Sequence, residues 1–144
     1  MSDYLPLLAG IAIGLLLAAA CYTDYTKRII PNIIPILILA AGFFTNGDLV
    51  MKFVNLIAMA LILVAAEKLL HQHSGGGDLK LYLSLSFALG LLSVGIILAE
   101  TILLYYLYHI LTKKGTLKGR RFPVACFLFP AYCIYYIATF VLLK

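Results

Sequence analysis

Leu81–Leu111, LYLSLSFALGLLSVGIILAETILLYYLYHIL, decides how this chain is laid out. It contains neither Lys nor Arg, and its only acid is Glu100. A helix needs ~20 apolar residues to cross a bilayer core, so the stretch is too long for one span and slightly short for two. Gly90 and Gly95 bracket Ser93-Val94, which predicts a tight turn between two helices, Leu79–Leu92 and Gly95–Leu111. One tilted helix would instead carry Lys113, Lys114, Lys118, Arg120 and Arg121 to the opposite side. Basic loops stay on the cytoplasmic side of a membrane, which favours the turn.

Working outward, the same character extends over the whole chain. Hydrophobic residues make up 64% and charged residues 12%, about half the charge of an ordinary soluble domain. A soluble fold of 144 residues has no way to bury that much apolar surface. Further helices are expected at Tyr4–Tyr22, Ile33–Phe44, Leu49–Leu70 and Pro123–Leu143. Ser2 and Asp3 lack the basic head of a secretory signal, so the first helix reads as retained. With no polar linker, residues 1–144 read as a single domain. The fold class is all-α, a polytopic membrane bundle of about six transmembrane helices with short loops.

The loops alternate in charge. Lys27-Arg28, Lys68 with Lys80, and the segment 113–121 mark the first, third and fifth loops as cytoplasmic. Lys52 and Lys144 are the exceptions. The net charge of +5 is therefore a topology signal with some attraction to anionic lipid, rather than a nucleic-acid surface. Both termini are expected outside.

Ionisable residues in membrane segments are functional candidates by default. The acids are Asp3, Asp24, Asp48, Glu67, Asp78 and Glu100. Asp3 and Asp48 lie near outer loops. Asp24 closes the first helix, just before Lys27-Arg28, and Asp78 opens the fourth, just after Gly75-Gly76-Gly77. Both sit at cytoplasmic helix ends, so they can meet at one depth. Two carboxylates in one site share a proton, the arrangement an aspartyl protease uses to activate water and polarise a carbonyl. The glycines permit positive φ and close approach by an extended substrate backbone. Taken alone, they also read as a flexible loop before an Asp N-cap.

Read together, the two acidic segments resemble a known family. Asp24-Tyr25-Thr26-Lys27-Arg28-Ile29-Ile30-Pro31-Asn32 is similar to the D-x6-P-[DN] signature of type IV prepilin peptidases. Gly75-Gly76-Gly77-Asp78-Leu79-Lys80 is similar to their GxGD-x-K signature. Arg121-Phe122-Pro123, followed by Pro130, loosely resembles their proline-containing last helix. The resemblance implies a membrane aspartyl protease with Asp24 and Asp78 as the catalytic pair. Gly75, Gly76 and Gly77 would shape the loop, and Lys80, Pro31 and Asn32 would support the site. It further implies prepilin-like precursors as substrates, cut at their basic leader after a glycine on the cytoplasmic face of the inner, or plasma, membrane. The chain lacks the cysteine-rich cytoplasmic segment of the larger members, which implies a compact peptidase without methyl transfer, like those serving Tad-type pili or archaeal preflagellins.

The remaining residues read more plainly. Cys21, Cys126 and Cys133 lie in apolar runs with no CxxC spacing and read as packing residues. His71 and His73 could join Glu67 or Asp78 around a metal, but an interfacial polar loop is the simpler reading. No metal or cofactor is expected. Glu100, deep in the fifth helix, reads as interhelical glue paired with a tyrosine or serine. The tyrosines from 105 to 136 read as interface belts and packing. Two other classes compete with the enzyme: a proton-coupled transporter, for which pathway acids near the midplane and internal repeats are wanting, and a non-catalytic assembly protein, which leaves the Asp24 and Asp78 contexts as coincidence.

Overall fold

The computed structural model describes residues 4–70, 76–112 and 124–142. Gly75, His71, His73 and the basic segment 113–121 lie outside the described residues. Six helices follow one another: α1 (Tyr4–Lys27), α2 (Ile33–Gly42), α3 (Leu49–Leu70), α4 (Gly76–Leu89), α5 (Leu91–Thr112) and α6 (Val124–Leu142), with no strand among the described residues. α1, α3, α5 and α6 are long and apolar enough to cross a membrane. The chain is a helical membrane protein. Large apolar side chains such as Leu15, Leu61, Leu103 and Val141 lie exposed along these helices, as lipid-facing residues do. α2 and α4 have 10 and 14 residues. At 1.5 Å per residue they reach only about 15 and 21 Å, short of a ~30 Å hydrocarbon core.

Contacts between helices fix their directions. Tyr132 Oη donates to Gly10 O at 2.7 Å and Tyr136 Oη to Leu7 O at 3.2 Å, while the start of α6 meets Asp24 near the end of α1. α6 is thus antiparallel to α1. Tyr135 of α6 donates to Ser93 Oγ at 2.7 Å, and the rings of Tyr105 and Tyr108 pack on Phe127, so α5 runs antiparallel to α6. α2 and α4 run side by side, with Lys80 at Asn32 at one end and Ala88 against Gly42 at the other. The helices alternate up and down. The end of α1, the starts of α2, α4 and α6, and the ends of α3 and α5 share one face of the bundle.

The reversal between α4 and α5 differs from the sequence expectation. It occurs at Gly90 alone, and Ser93, Val94 and Gly95 all belong to α5. Gly90 has φ +89°, a conformation that costs an L side chain but not glycine. Its N–H still reaches Ser86 O, and its carbonyl accepts from Val94, so the turn leaves these groups hydrogen-bonded. A one-residue turn is how 31 residues, too few for two spans plus a loop, form two helices.

Lys52, the charge exception on the far side, has a structural account. It is 6% exposed, and its Nζ donates to Gly42 O and Thr45 O, both at 2.7 Å. Gly42 closes α2 and Thr45 follows three residues on, and a cation there offsets the helix dipole. The core beneath is formed by Ile13 and Leu17 of α1, Ile38 of α2, Leu81 and Leu85 of α4, Ile97 of α5 and Leu128 of α6, all fully buried.

Candidate active site

Asp24 and Asp78 come together on one face of the bundle. α1 continues to Lys27, so Asp24 lies one turn inside the helix rather than at its end. α4 begins at Gly76, so Gly76 and Gly77 are its first turn, not a loop, and Asp78 is its third residue rather than its N-cap. The carboxylates interact electrostatically, and Tyr82, one turn beyond Asp78, feels both. Asp78 sits in the polar first turn of a helix too short to span. Burial, and then the negative charge of Asp24, push its carboxyl up to about 6. Both causes are what a proton-sharing pair requires.

The expected supporting residues fall into two groups. Lys80 Nζ donates to Asn32 Oδ1 at 2.9 Å, tying the first turn of α4 to the α1–α2 connection. Asn32 therefore spends its side chain on Lys80 and makes no side-chain cap on its own helix. Pro31 lies before α2, not within it, and its carbonyl accepts the Ile34 N–H at 3.1 Å. Gly77 packs against the same connection. A Cβ there would fall 3.2 Å from Ile30 Cβ and 3.5 Å from Ile30 O, and Ile30 is buried. Gly76 faces open space, so nothing nearby requires glycine at that position.

Two features had no signal in the motifs. The backbone N–H of Ala125 donates to Asp24 Oδ2 at 3.2 Å, so the first turn of α6 holds one oxygen of this carboxylate. Amides at a helix N-terminus suit an anion. The second is Arg28, whose φ of +54° makes it the sole non-glycine residue in the left-handed region among the described residues. Its N–H bonds Asp24 O at 3.0 Å, closing α1 in a left-handed C-cap. That backbone conformation costs a non-glycine residue about 1 kcal/mol. In the sequence, Lys27-Arg28 read only as a topology signal.

Both acidic segments thus meet at one place, with α6 added to them. A sequence model of the type IV leader peptidase family matches residues 11–111, well over half of the chain. The chain belongs to the type IV leader peptidase family. Membership makes it a membrane protease in general terms. The matched stretch contains Asp24, Asp78 and every described supporting residue named above. α6 lies beyond it, so the Ala125 contact comes from outside the matched region. Comparison with curated proteins and with solved structures gives no match.

The other candidates have different surroundings. Glu100 sits mid-way along α5, and its Oε2 is buried with no hydrogen-bond partner among the described residues, so this oxygen does not make the expected tyrosine or serine pairing. No group of three metal-ligating side chains occurs among the described residues. The Cys126 thiol donates a weak hydrogen bond to Cys21 O at 3.4 Å, at the seam of α1 and α6.

Proposed function

We propose that this leader peptidase family member is an aspartic-type endopeptidase that removes the leader from prepilin-like precursors. Asp24 and Asp78 are its catalytic pair, and the whole chain is one peptidase domain. The observation that carries the reading is that α1 and α4 present two acids at the same end of the bundle, close enough for one charge to perturb the other. In the working state the pair holds one proton. The ionised carboxylate takes a proton from water, which attacks the scissile carbonyl, while the protonated partner hydrogen-bonds the carbonyl oxygen. The proton then passes to the leaving amine. Gly76 faces open space near Asp78, where a substrate backbone can approach, Gly77 lets α4 close on Ile30, and Lys80 and Asn32 hold α4 against the α1–α2 connection.

The charge distribution supports a cytoplasmic site. Lys27, Arg28, Lys68 and Lys80 cluster at the end of the bundle that carries the pair, and basic residues remain on the cytoplasmic side of the plasma membrane. An apolar precursor helix would lie in lipid beside the bundle with its basic leader at this face.

The test is cleavage of a purified precursor bearing a basic leader and a glycine at the junction, in proteoliposomes, read by mass spectrometry. A single cut at the leader junction, with no ion flux on acidification, supports the reading. Flux without cleavage sinks it in favour of a transporter.

A further inference from the structure

Four tyrosines pack in or against the buried core: Tyr82, Tyr132, Tyr135 and Tyr136. Three of them use their hydroxyls inside the fold. Tyr132 donates to Gly10 O, Tyr135 to Ser93 Oγ and Tyr136 to Leu7 O. The Tyr82 hydroxyl has no hydrogen-bond partner among the described residues. A phenol that leaves water ordinarily finds a partner, so this one is left for a group that the fold itself does not supply.

Its place on α4 narrows the choice. Tyr82 follows Asp78 by four residues, so the two share one helix face. Long side chains on a helix lean back over the preceding turn, which carries the half-buried Tyr82 ring toward Asp78. The same face continues to fully buried Leu85, so it is turned into the bundle. The core against which the ring packs includes Ala20, one turn before Asp24, and Ala125, whose amide holds Asp24. The influence of both carboxylates on Tyr82 accords with that placement. We infer that Tyr82 is a further catalytic residue: its hydroxyl, on the face of α4 that carries Asp78, donates a hydrogen bond to the scissile carbonyl oxygen of the precursor.

The inference rests on the aspartyl-peptidase reading and adds a second donor to the protonated carboxyl. As water adds to the carbonyl, its oxygen gains negative charge, and a donor already in place strengthens its bond at that moment. The phenol keeps its proton throughout, so the proton transfers stay with the two acids.

Tyr82→Phe keeps the ring and removes the hydroxyl. The purified variant is assayed for precursor cleavage at saturating and limiting substrate across acidic and neutral pH, and for thermal unfolding. Wild type, Tyr132→Phe, Asp24→Asn and Asp78→Asn are run beside it. The inference expects Tyr82→Phe at least about tenfold lower in kcat with KM within about twofold, as for loss of one transition-state donor. Its pH profile should keep the wild-type shape, because the pair is untouched. Its melting temperature should equal or exceed that of wild type, because the fold loses no hydrogen bond. Tyr132→Phe should do the reverse, melting lower at wild-type kcat, because its hydroxyl bonds Gly10 O. Wild-type kcat in Tyr82→Phe, a loss confined to KM, a shifted pH profile without loss of kcat, or a loss that accompanies a lower melting temperature would overturn the inference. If both Asp variants are inactive while Tyr82→Phe has wild-type kcat, only this inference fails. If either Asp variant cleaves normally, the aspartyl reading fails and this inference with it.

Discussion

Replacing Asp78 with Asn should make the protein more stable while removing its activity. The fold holds the Asp78 carboxyl at about 6 against 3.8 in the unfolded chain, because burial and Asp24 both oppose its negative charge. A folded-state value above the unfolded one means that the favourable contribution is complete below pH ~4 and is lost as pH rises through ~6. Near neutrality the ionised side chain therefore opposes folding. That difference corresponds to ~3 kcal/mol at full strength. Asp78 is only half-buried, and solvent screening reduces this to about 1–2 kcal/mol. Asn is nearly isosteric and carries no charge, so it recovers that amount. For a chain of this size, the gain is a rise in melting temperature of roughly 3–6 °C at pH 8. The chain has no Trp, so circular dichroism at 222 nm in mild detergent is the appropriate probe of unfolding. The gap between Asp78→Asn and wild type should shrink as pH falls and close near pH 4. An equal or lower melting temperature for Asp78→Asn at pH 8, or a gap that widens on acidification, would refute the electrostatic account.

Other consequences follow from the same geometry. Gly77→Ala should lower both melting temperature and activity, because its Cβ meets buried Ile30, whereas Gly76→Ala should be tolerated; equal behaviour of the two would contradict the placement of the first turn of α4. Lys52→Met should destabilise by about 2–3 kcal/mol, seen as a lower melting temperature, because the Gly42 and Thr45 carbonyls lose charge-assisted hydrogen bonds. Between pH 8 and 6, kcat/KM for precursor cleavage should rise as pH falls, because Asp78 gains the proton the pair must share; a profile flat across that range would count against it.

Much of this was legible in the sequence because membrane helices announce themselves by length and hydropathy. α3 begins and ends where its apolar run does, and every described residue of α6 lies within its run. The alternation of the helices accords with the alternation of basic and non-basic loops. The turn at Gly90 was harder to place. Ser93-Val94 sits midway between two glycines, but only Gly90 takes the left-handed conformation, and an apolar sequence gives no sign of which glycine will bend. The start of α4 was shifted too: Gly76 and Gly77 read as breakers, yet both are helical, and Gly77 packs on Ile30 of the α1–α2 connection.

The site was legible where it depends on side chains in local motifs. Asp24, Asp78, Lys80 and Asn32 come together as their two segments suggested. The remainder depends on backbone groups and distant partners. Ala125 serves through its amide, which no residue identity encodes, across 101 positions of sequence. Arg28 looked like one charge among several until its φ was known. Lys52 violated the charge pattern, and only the end of α2 explains it.

The most direct test of the central claim is cleavage of a prepilin-like precursor by the purified protein, run beside Asp24→Asn and Asp78→Asn variants shown to be folded. Loss of the cut in both variants, with wild type active, is the predicted result. Continued cleavage by either variant would contradict a two-carboxylate mechanism at Asp24 and Asp78.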